Sequence, residues 1–312
     1  MARKLRFGVQ TAPQNTTWAD LRAVWKVIDE AGYDTAWLFD HFYPILADPA
    51  GPCFEGWTAL TALAPETKNV EAGVLVTGNT YRHPAVLAKI GATLDHIIGG
   101  RLIMGIGAGW FELEHNAYGI PFFTTGERIR RLDEAVAIIK SMWTAEKTTM
   151  QGRYYQVSEA RCEPKPVRKP HPPLMIGGAG EKLTLRVVAK HADIWNTFGP
   201  PSVFRSKIAV LQEHCSSVGR NVDEIEISWA GLAAVTDSEA ERAALLAPLA
   251  KAWNQSIEQI AEASLVGSTD EVLRRLEEFR KAGVTHFITL MAPPFKHDQL
   301  RRFVDTIVAK VR

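Results

Sequence analysis

The chain has 312 residues, of which 46% are hydrophobic, and its 36 Lys and Arg nearly balance 35 Asp and Glu, leaving a formal charge of +1. This composition suits a packed core and argues against nucleic-acid or membrane partners, because it contains neither a block of like charge nor an apolar run of about 18 residues. Three isolated cysteines and an amino terminus that leads straight into a predicted strand indicate a cytoplasmic protein without disulfides or a signal peptide.

Apolar strands alternate with amphipathic helices along the chain. The predicted strands are Leu5–Val9, Thr35–Phe39, Val70–Val76, Leu102–Ile106, Leu174–Ile176, Asp193–Asn196, Ile225–Val235 and His286–Met291. The predicted helices are Trp18–Ala31 with Gly32 as its C-cap, Gly56–Ala64, Pro84–Ile98, Glu127–Thr144, Glu181–Lys190, Val203–Val218, Asp270–Ala282 and His297–Val311. Eight strands in strict alternation with helices predict a (β/α)8 TIM barrel. A doubly wound sheet is disfavoured, because the loop after the first strand, TAPQNTTW, lacks glycine.

Two segments interrupt the alternation. Residues 145–173, after the helix of strand four, contain the hairpin-like stretch TTMQGRYYQV and then five prolines. Residues 236–266, after strand seven, are rich in Ala and Glu and are predicted to be helical. We therefore predict a single barrel domain over residues 1–312 with one insertion at each of these places.

Glycines cluster where two of the strands end. The strings GIGAGW at Gly105–Trp110 and GGAG at Gly177–Gly180 both follow apolar strands, and a helical pattern begins at Glu181. Ligands bind at the C-terminal ends of parallel strands, where glycines let backbone N–H groups approach and a helix N-terminus favours an anion. These ends predict a phosphate-bearing cofactor whose phosphate is held by main-chain groups. The alternatives are a flexible loop at the second string and a tight turn with Trp110 as a core plug at the first.

Asp40 and His41 follow the second strand directly. A carboxylate and an imidazole at this end of a barrel strand can orient a ring and move a proton near neutral pH. The alternative is a helix-capping Asp beside a solvated His. Arg82 and His83, just after strand three, are suited either to contact a cofactor tail or to pack at a helix start. The histidines lack metal-ligand spacing, so no metal site is predicted.

At these residues the chain resembles the bacterial luciferase-like superfamily. The matching strings are FDHF, VLVTGNTYRHPAVLAKIGATLD, GGRLIMGIGAGWFELEHNAYGIPF, QGRYYQV and HPPLMIGGAGEKLTLRVVAKHADIWN. The resemblance implies a TIM barrel that uses a flavin or a deazaflavin. The string GAGWFELEHNAYGIPF is most similar to the branch that uses the deazaflavin coenzyme F420.

The resemblance also implies roles for individual positions. Asp40 and His41 correspond to the pair at the reactive ring, and Gly73–Val74 to a non-prolyl cis peptide behind that ring. Sugar-phosphate dehydrogenases of the family carry a glutamate at the position of Trp110, so an apolar or aromatic substrate is implied instead. The full set of implied cofactor contacts is Asp40, Gly73, Val74, Thr77, Ala108, Gly109, Trp110, Gly177 and Gly178.

The resemblance and the strand ends together predict an F420-dependent oxidoreductase that transfers a hydride to or from a small organic substrate, with His41 and Asp40 as catalytic residues. An FMN-dependent monooxygenase on the same barrel is the alternative enzyme. A non-catalytic flavin- or deazaflavin-binding protein is the alternative without chemistry. We also expect a homodimer.

Overall fold

The computed structural model describes residues 4–312, so Met1–Arg3 of the predicted domain lie outside the described residues. The strands are β1 Arg6–Thr11, β2 Thr35–Leu38, β3 Glu71–Val74, β4 Thr77–Gly78, β5 Leu102–Gly107, β6 Thr148–Gln151, β7 Gln156–Ala160, β8 Leu174–Gly177, β9 Ile194–Thr197, β10 Glu226–Gly231, β11 Ala233–Val235, β12 Leu265–Gly267 and β13 His286–Met291. The helices are α1 Trp18–Ala31, α2 Gly56–Leu63, α3 Pro84–Ile97, α4 Glu112–Ala117, α5 Thr125–Thr144, α6 Thr184–His191, α7 Pro201–Ser217, α8 Glu239–Trp253, α9 Ile257–Glu262, α10 Thr269–Lys281 and α11 His297–Phe303.

Eight of these strands close into a parallel barrel. Around the barrel the order is β1, β2, β3, β5, β8, β9, β10 and β13, and β13 pairs with β1 to complete the circle. The short strand β4 lies past the end of β3 and pairs with β5. Helices cover the outside, so each strand is buried on both faces. The predicted (β/α)8 TIM barrel is confirmed.

The barrel interior is filled by side chains. One buried cluster consists of Trp37, Leu75, Ile103, Met175, Ile194, Ala230 and Ile288. Gly73 faces this cluster, and a Cβ built on it would lie 2.3 Å from the Ile103 carbonyl oxygen and 2.7 Å from the Trp37 ring. The barrel is therefore a packed core rather than a channel, and a ligand can enter only at its C-terminal mouth.

Local signals set the helix limits where capping is strong. The Thr17 side chain accepts a hydrogen bond from the Asp20 N–H at the start of α1, and Gly32 ends that helix with φ +89°. The predicted C-cap at Gly32 is thus confirmed. Helix α6 begins at Thr184 rather than at the predicted Glu181, since residues 181–183 form a turn that no side chain caps.

The two interrupting segments have their own structure. In the first, β6 and β7 form an antiparallel hairpin. In the second, α8 and α9 pack on β11 and β12, which pair with each other and not with the barrel. The predicted single strand Ile225–Val235 is therefore wrong in extent, because the chain leaves the barrel after Gly231. In the described part of the chain, no helix is both long and apolar enough to cross a lipid bilayer.

Candidate active site

Asp40 lies in a buried network at the mouth, just beyond β2. Its carboxylate is fully buried and accepts hydrogen bonds from Arg82 at 2.6 and 3.1 Å and from the Thr77 hydroxyl. Thr77 is also fully buried and accepts a hydrogen bond from Trp57 Nε1 at 3.2 Å. Burial raises the pKa of Asp40, and the charge and hydrogen bonds of Arg82 oppose this. The geometry thus gives Asp40 and Thr77 protein partners and does not support direct contact of either with a cofactor.

Arg82 is held between two carboxylates. Besides Asp40, its guanidinium donates to Glu55, which also caps the N-terminus of α2. Burial lowers the pKa of Arg82, but the charges and hydrogen bonds of Asp40 and Glu55 outweigh burial and hold that pKa above its usual value. A cation paired in this way is a poor anion site, which disfavours the predicted alternative of a cofactor tail on Arg82.

His41 points away from this network and binds a different carboxylate. Its Nδ1 lies 2.7 Å from Glu114 Oε1, and the Glu114 carboxylate also accepts from the Phe42 N–H at 2.8 Å and from the Tyr81 hydroxyl. Nothing in the described chain bonds to His41 Nε2, and that atom is not one of the buried polar atoms without a partner. Although His41 as a whole is only 7% exposed, its Nε2 atom therefore keeps some solvent contact at the C-terminal end of β2.

Glu114 is a residue of this site that sequence reasoning missed. It lies in the short helix α4, and its side chain is fully buried. Burial acts to raise the pKa of Glu114, but hydrogen bonds from His41, Phe42 and Tyr81 outweigh burial and lower it. The only signal in the sequence was the acidic start of the helix after the GIGAGW string, where Glu112 and Glu114 lie two residues apart.

Aromatic rings surround His41. Their centroids lie 5.3 Å from the imidazole for Phe39, 5.6 Å for Trp110 and 5.7 Å for Phe111. Trp110 stacks on Phe111 and remains 57% exposed, so it lines the mouth and is not a core plug. These rings provide an apolar surface beside a proton-exchanging nitrogen.

Val76 lies between two glycine-bearing strand ends, and we call Val76, Gly107 and Gly177 the glycine cradle. A Cβ on Gly107 would lie 2.8 Å from Val76 Cγ2, and one on Gly177 would lie 3.1 Å from the same atom. The Val76 side chain therefore fills the space beside both glycines and presents an apolar surface there. A flat ring system fits an apolar surface of this kind. The adjoining Ala108–Gly109 segment is fixed by Arg128, whose Nε donates to the Gly109 carbonyl at 3.1 Å.

The non-prolyl cis peptide lies between Leu75 and Val76. The prediction that it lies between Gly73 and Val74 is wrong, because those residues belong to the regular ladder of β3 and pair with Trp37 and Leu38 of β2. Gly73 and Val74 are both buried within the barrel wall. Their predicted contact with a cofactor has no support in this placement, and Val76 takes the position that was expected of Val74.

The loop after β8 was predicted to bind phosphate through its glycine N–H groups, but the structure leaves different groups free to do so. The Gly178 N–H donates to the Asn196 carbonyl at 3.1 Å, and the Gly178 carbonyl accepts from Trp195 Nε1 at 2.7 Å. Gly178 has φ +132°, a conformation that favours glycine. Its main chain therefore fixes the loop in place and leaves the residues after it to meet an anion.

A cavity of about 470 Å³ opens beside this loop, and we call it the phosphate cavity. It is lined by Ile129, Ala179, Gly180, Glu181, Lys182, Leu183 and Lys207. Lys207 Nζ lies 2.7 Å from Glu181 Oε1. Two lysines thus lie where the sequence predicted main-chain groups alone, because Lys182 is just beyond the GGAG string and Lys207 comes from the neighbouring helix α7. Because Lys207 is paired with Glu181, Lys182 is the lysine that is left to meet a phosphate group here.

The chain is similar to known proteins of one family in both sequence and fold. Residues 4–286 match the family model for luciferase-like monooxygenases. An F420-dependent glucose-6-phosphate dehydrogenase of Microbacterium testaceum is 31% identical over 72% of this chain and 67% of its own length. A protein of the same name from Nakamurella multipartita is 28% identical over 95% of this chain and 93% of its own. The structure of an F420-dependent secondary alcohol dehydrogenase in complex with an F420-acetone adduct aligns with a TM-score of 0.86 at 21% identity, over 99% of this chain and 100% of that one.

Proposed function

Because this chain belongs to the luciferase-like monooxygenase family, we propose that it is an oxidoreductase that transfers a hydride between coenzyme F420 and a small, uncharged, apolar or aromatic substrate. The F420 dependence named for its relatives supports the cofactor. One observation supports hydride-transfer chemistry above all: Glu114 holds the Nδ1 atom of His41, while the Nε2 atom has no protein partner and keeps solvent contact at the mouth. A binding protein without catalysis has no need of such a pair.

The mouth offers a place for each part of the cofactor. The glycine cradle suits the ring system, with Ala108, Gly109 and Trp110 along one edge, and the phosphate cavity suits the phosphate. F420 supplies an obligate hydride acceptor and donor when it is bound. The protein's contribution is to hold ring and substrate face to face and to exclude water.

His41 accounts for the proton that accompanies the hydride. With F420 bound, oxidation of a substrate alcohol would transfer the C–H hydrogen with its electron pair to the deazaflavin, and His41 Nε2 would accept the O–H proton as the C=O bond forms. Reduction of a carbonyl reverses each transfer. Positioned acid–base groups of this kind typically contribute 10²–10⁴-fold to a rate.

The charge pattern of the mouth supports an uncharged substrate. The loops after β1, β2, β5 and β9, at residues 12–17, 39–55, 108–111 and 198–200, contain no Lys or Arg, and the lysines of the mouth, Lys182 and Lys296, lie in the loops after β8 and β13. Arg82, in the loop after β4, is neutralised by two carboxylates. A buried phosphoryl group on a substrate requires cationic partners. We therefore propose that this chain differs in substrate from the glucose-6-phosphate dehydrogenases that it resembles.

We expect the purified protein to reduce F420 with uncharged secondary and benzylic alcohols, and to consume reduced F420 with the matching ketones. The expected kcat/KM for the best of these substrates exceeds that for glucose 6-phosphate by at least about tenfold, a difference of ~1.4 kcal/mol. The absorbance of oxidised F420 reports both directions. Titration of the apoprotein, followed by tryptophan quenching, should give at least about tenfold tighter binding of F420 than of FMN.

The arms of this experiment fail in different ways. Equal or higher kcat/KM with glucose 6-phosphate would overturn the substrate proposal and leave the cofactor standing. Equal or tighter binding of FMN would favour the monooxygenase instead. Tight F420 binding with no turnover of any substrate tested would favour the non-catalytic binder.

We also propose that the protein is a homodimer that associates through α3. The outward face of this helix carries Val86, Ile90, Thr93 and Ile97, at the spacing of one helical stripe. Val86 is 55% and Ile97 49% exposed. A two-fold interface places the same patch on both subunits, and these four side chains carry no charge that would repel their copies.

Sedimentation should therefore give a mass near twice the chain mass of 34.6 kDa. The double change Val86→Arg with Ile97→Arg should produce a monomer, because four like charges would then face one another. Val218→Arg, at an exposed apolar position after α7, is the matched control and should remain dimeric. A monomeric wild-type protein, or a dimer that persists in the double variant, would refute this interface.

A further inference from the structure

Glu114 has an unusual set of partners for a carboxylate. It is fully buried, and in the described chain its only ion-pair partner is His41. The other two groups that bond to it, the Phe42 N–H and the Tyr81 hydroxyl, are neutral donors. Burial and the neighbouring Glu114 charge raise the pKa of Tyr81, so the phenol keeps its proton and donates it.

These contacts determine where the hydrogen on His41 lies. An ionised carboxylate can only accept hydrogen bonds, so the 2.7 Å contact between Glu114 Oε1 and His41 Nδ1 requires a proton on Nδ1. In a neutral imidazole, a proton on Nδ1 leaves Nε2 as the bare acceptor nitrogen. That bare nitrogen is the one that faces the mouth.

We infer that Glu114 is the positioning residue of the active site: it holds His41 in the Nδ1–H tautomer, so that Nε2 accepts the substrate proton, and its charge stabilises the imidazolium that forms. This inference rests on the proposed function for its catalytic meaning, although the tautomer can be tested without any substrate. Tyr81 and the Phe42 N–H donate to the Glu114 carboxylate and fix its position, so Tyr81 acts on His41 only through Glu114.

Within residues 4–312, no other charged group is bonded to the His41 imidazole. The Cys53 thiol lies 3.5 Å from the His41 carbonyl oxygen, and burial, with the charges of Glu114 and Asp40, raises its pKa to about 12, so it is neutral. Asp40 is turned toward Arg82 and forms an ion pair with it. The rings of Phe39, Trp110 and Phe111 complete the surroundings of the imidazole and carry no charge.

The test is long-range ¹H–¹⁵N NMR of the full-length protein with ¹⁵N-labelled histidine, at a pH high enough for the histidines to be neutral. The His41 signal is identified by its loss in His41→Asn. We expect the wild-type signal to show the Nδ1–H tautomer. Glu114→Ala, which removes the acceptor, should shift it to the Nε2–H tautomer, whereas Glu112→Ala, at an exposed position on the same helix, should leave it unchanged.

An Nε2–H tautomer in the wild-type protein would overturn the inference. The wild-type measurement alone therefore tests it, even if the Glu114→Ala protein fails to fold. Retention of the Nδ1–H tautomer in folded Glu114→Ala would overturn it equally. With a substrate in hand, Glu114→Ala should lower kcat by about 10²-fold with F420 affinity changed less than about threefold. The expected tautomer in a protein that turns over no substrate would refute the proposed function and not the role of Glu114.

Discussion

Replacing His41 by asparagine is expected to lower the rate of hydride transfer by about 10²-fold or more while F420 affinity changes little. The amide nitrogen of asparagine can take the place of Nδ1 and donate to Glu114, which lies 2.7 Å from Nδ1 in the native protein. The variant lacks any atom at the position of Nε2. The substitution therefore removes the proton acceptor and keeps the buried carboxylate partnered, which separates chemistry from folding.

The measurement is a single-turnover reaction followed by F420 absorbance, so that product release does not limit the rate. His41→Ala in the same assay should be equally slow and also less stable, because Glu114 then loses a donor inside the protein. His96→Asn, at an exposed position of α3, is the control and should react at the parental rate. A parental single-turnover rate in His41→Asn would show that His41 has no part in proton transfer.

The barrel could be predicted from sequence because its signals are local. Strands such as β2, with all four residues buried, appear as continuous apolar runs, and each ends at a glycine or a polar residue. Capping by Thr17 and Gly32 likewise depends on residues next to the helix that they limit. Errors arose where a pattern continues past the end of an element, as at Gly231, where apolar residues pass from the barrel into β11.

The site was predicted less completely, since its partners are distant in sequence. Asp40 and Arg82 are 42 positions apart, and His41 and Glu114 are 73 apart. Adjacent residues of one loop therefore have different environments: Asp40 is buried against a guanidinium, and His41 presents one nitrogen to the mouth. A pattern that places both at a strand end cannot assign them separate roles, because the roles depend on which other loops meet them.

The loop after β8 shows the same limitation for single backbone groups. The string GGAG predicts a phosphate loop there, but the sequence does not reveal that the Gly178 N–H pairs with the Asn196 carbonyl of the neighbouring strand. It also does not reveal that Lys207, on the next helix, reaches the same cavity. The glycine is needed for its conformation rather than for its N–H.

That conformation leads to the second large expected effect: Gly178→Val should abolish detectable F420 binding in a protein that stays folded. Gly178 has φ +132°, which a β-branched residue adopts only at high cost, and a Cβ there would lie 3.0 Å from Thr184 Cγ2 at the start of α6. The loop must therefore rearrange. The segment that follows, Ala179–Leu183, lines the phosphate cavity, so the rearrangement removes the anion site itself.

Fluorescence titration with F420 and circular dichroism of the same samples test this expectation. Gly32→Val is the matched control: Gly32 also has positive φ, at +89°, but it ends α1 at the opposite end of the barrel, and a Cβ there meets nothing within 4 Å. The control should lose stability and keep parental affinity, which separates strain in general from strain at the phosphate cavity. A folded Gly178→Val protein with parental affinity would place the phosphate elsewhere. The Arg82 side of the mouth could not then accept it without first breaking the ion pairs with Asp40 and Glu55.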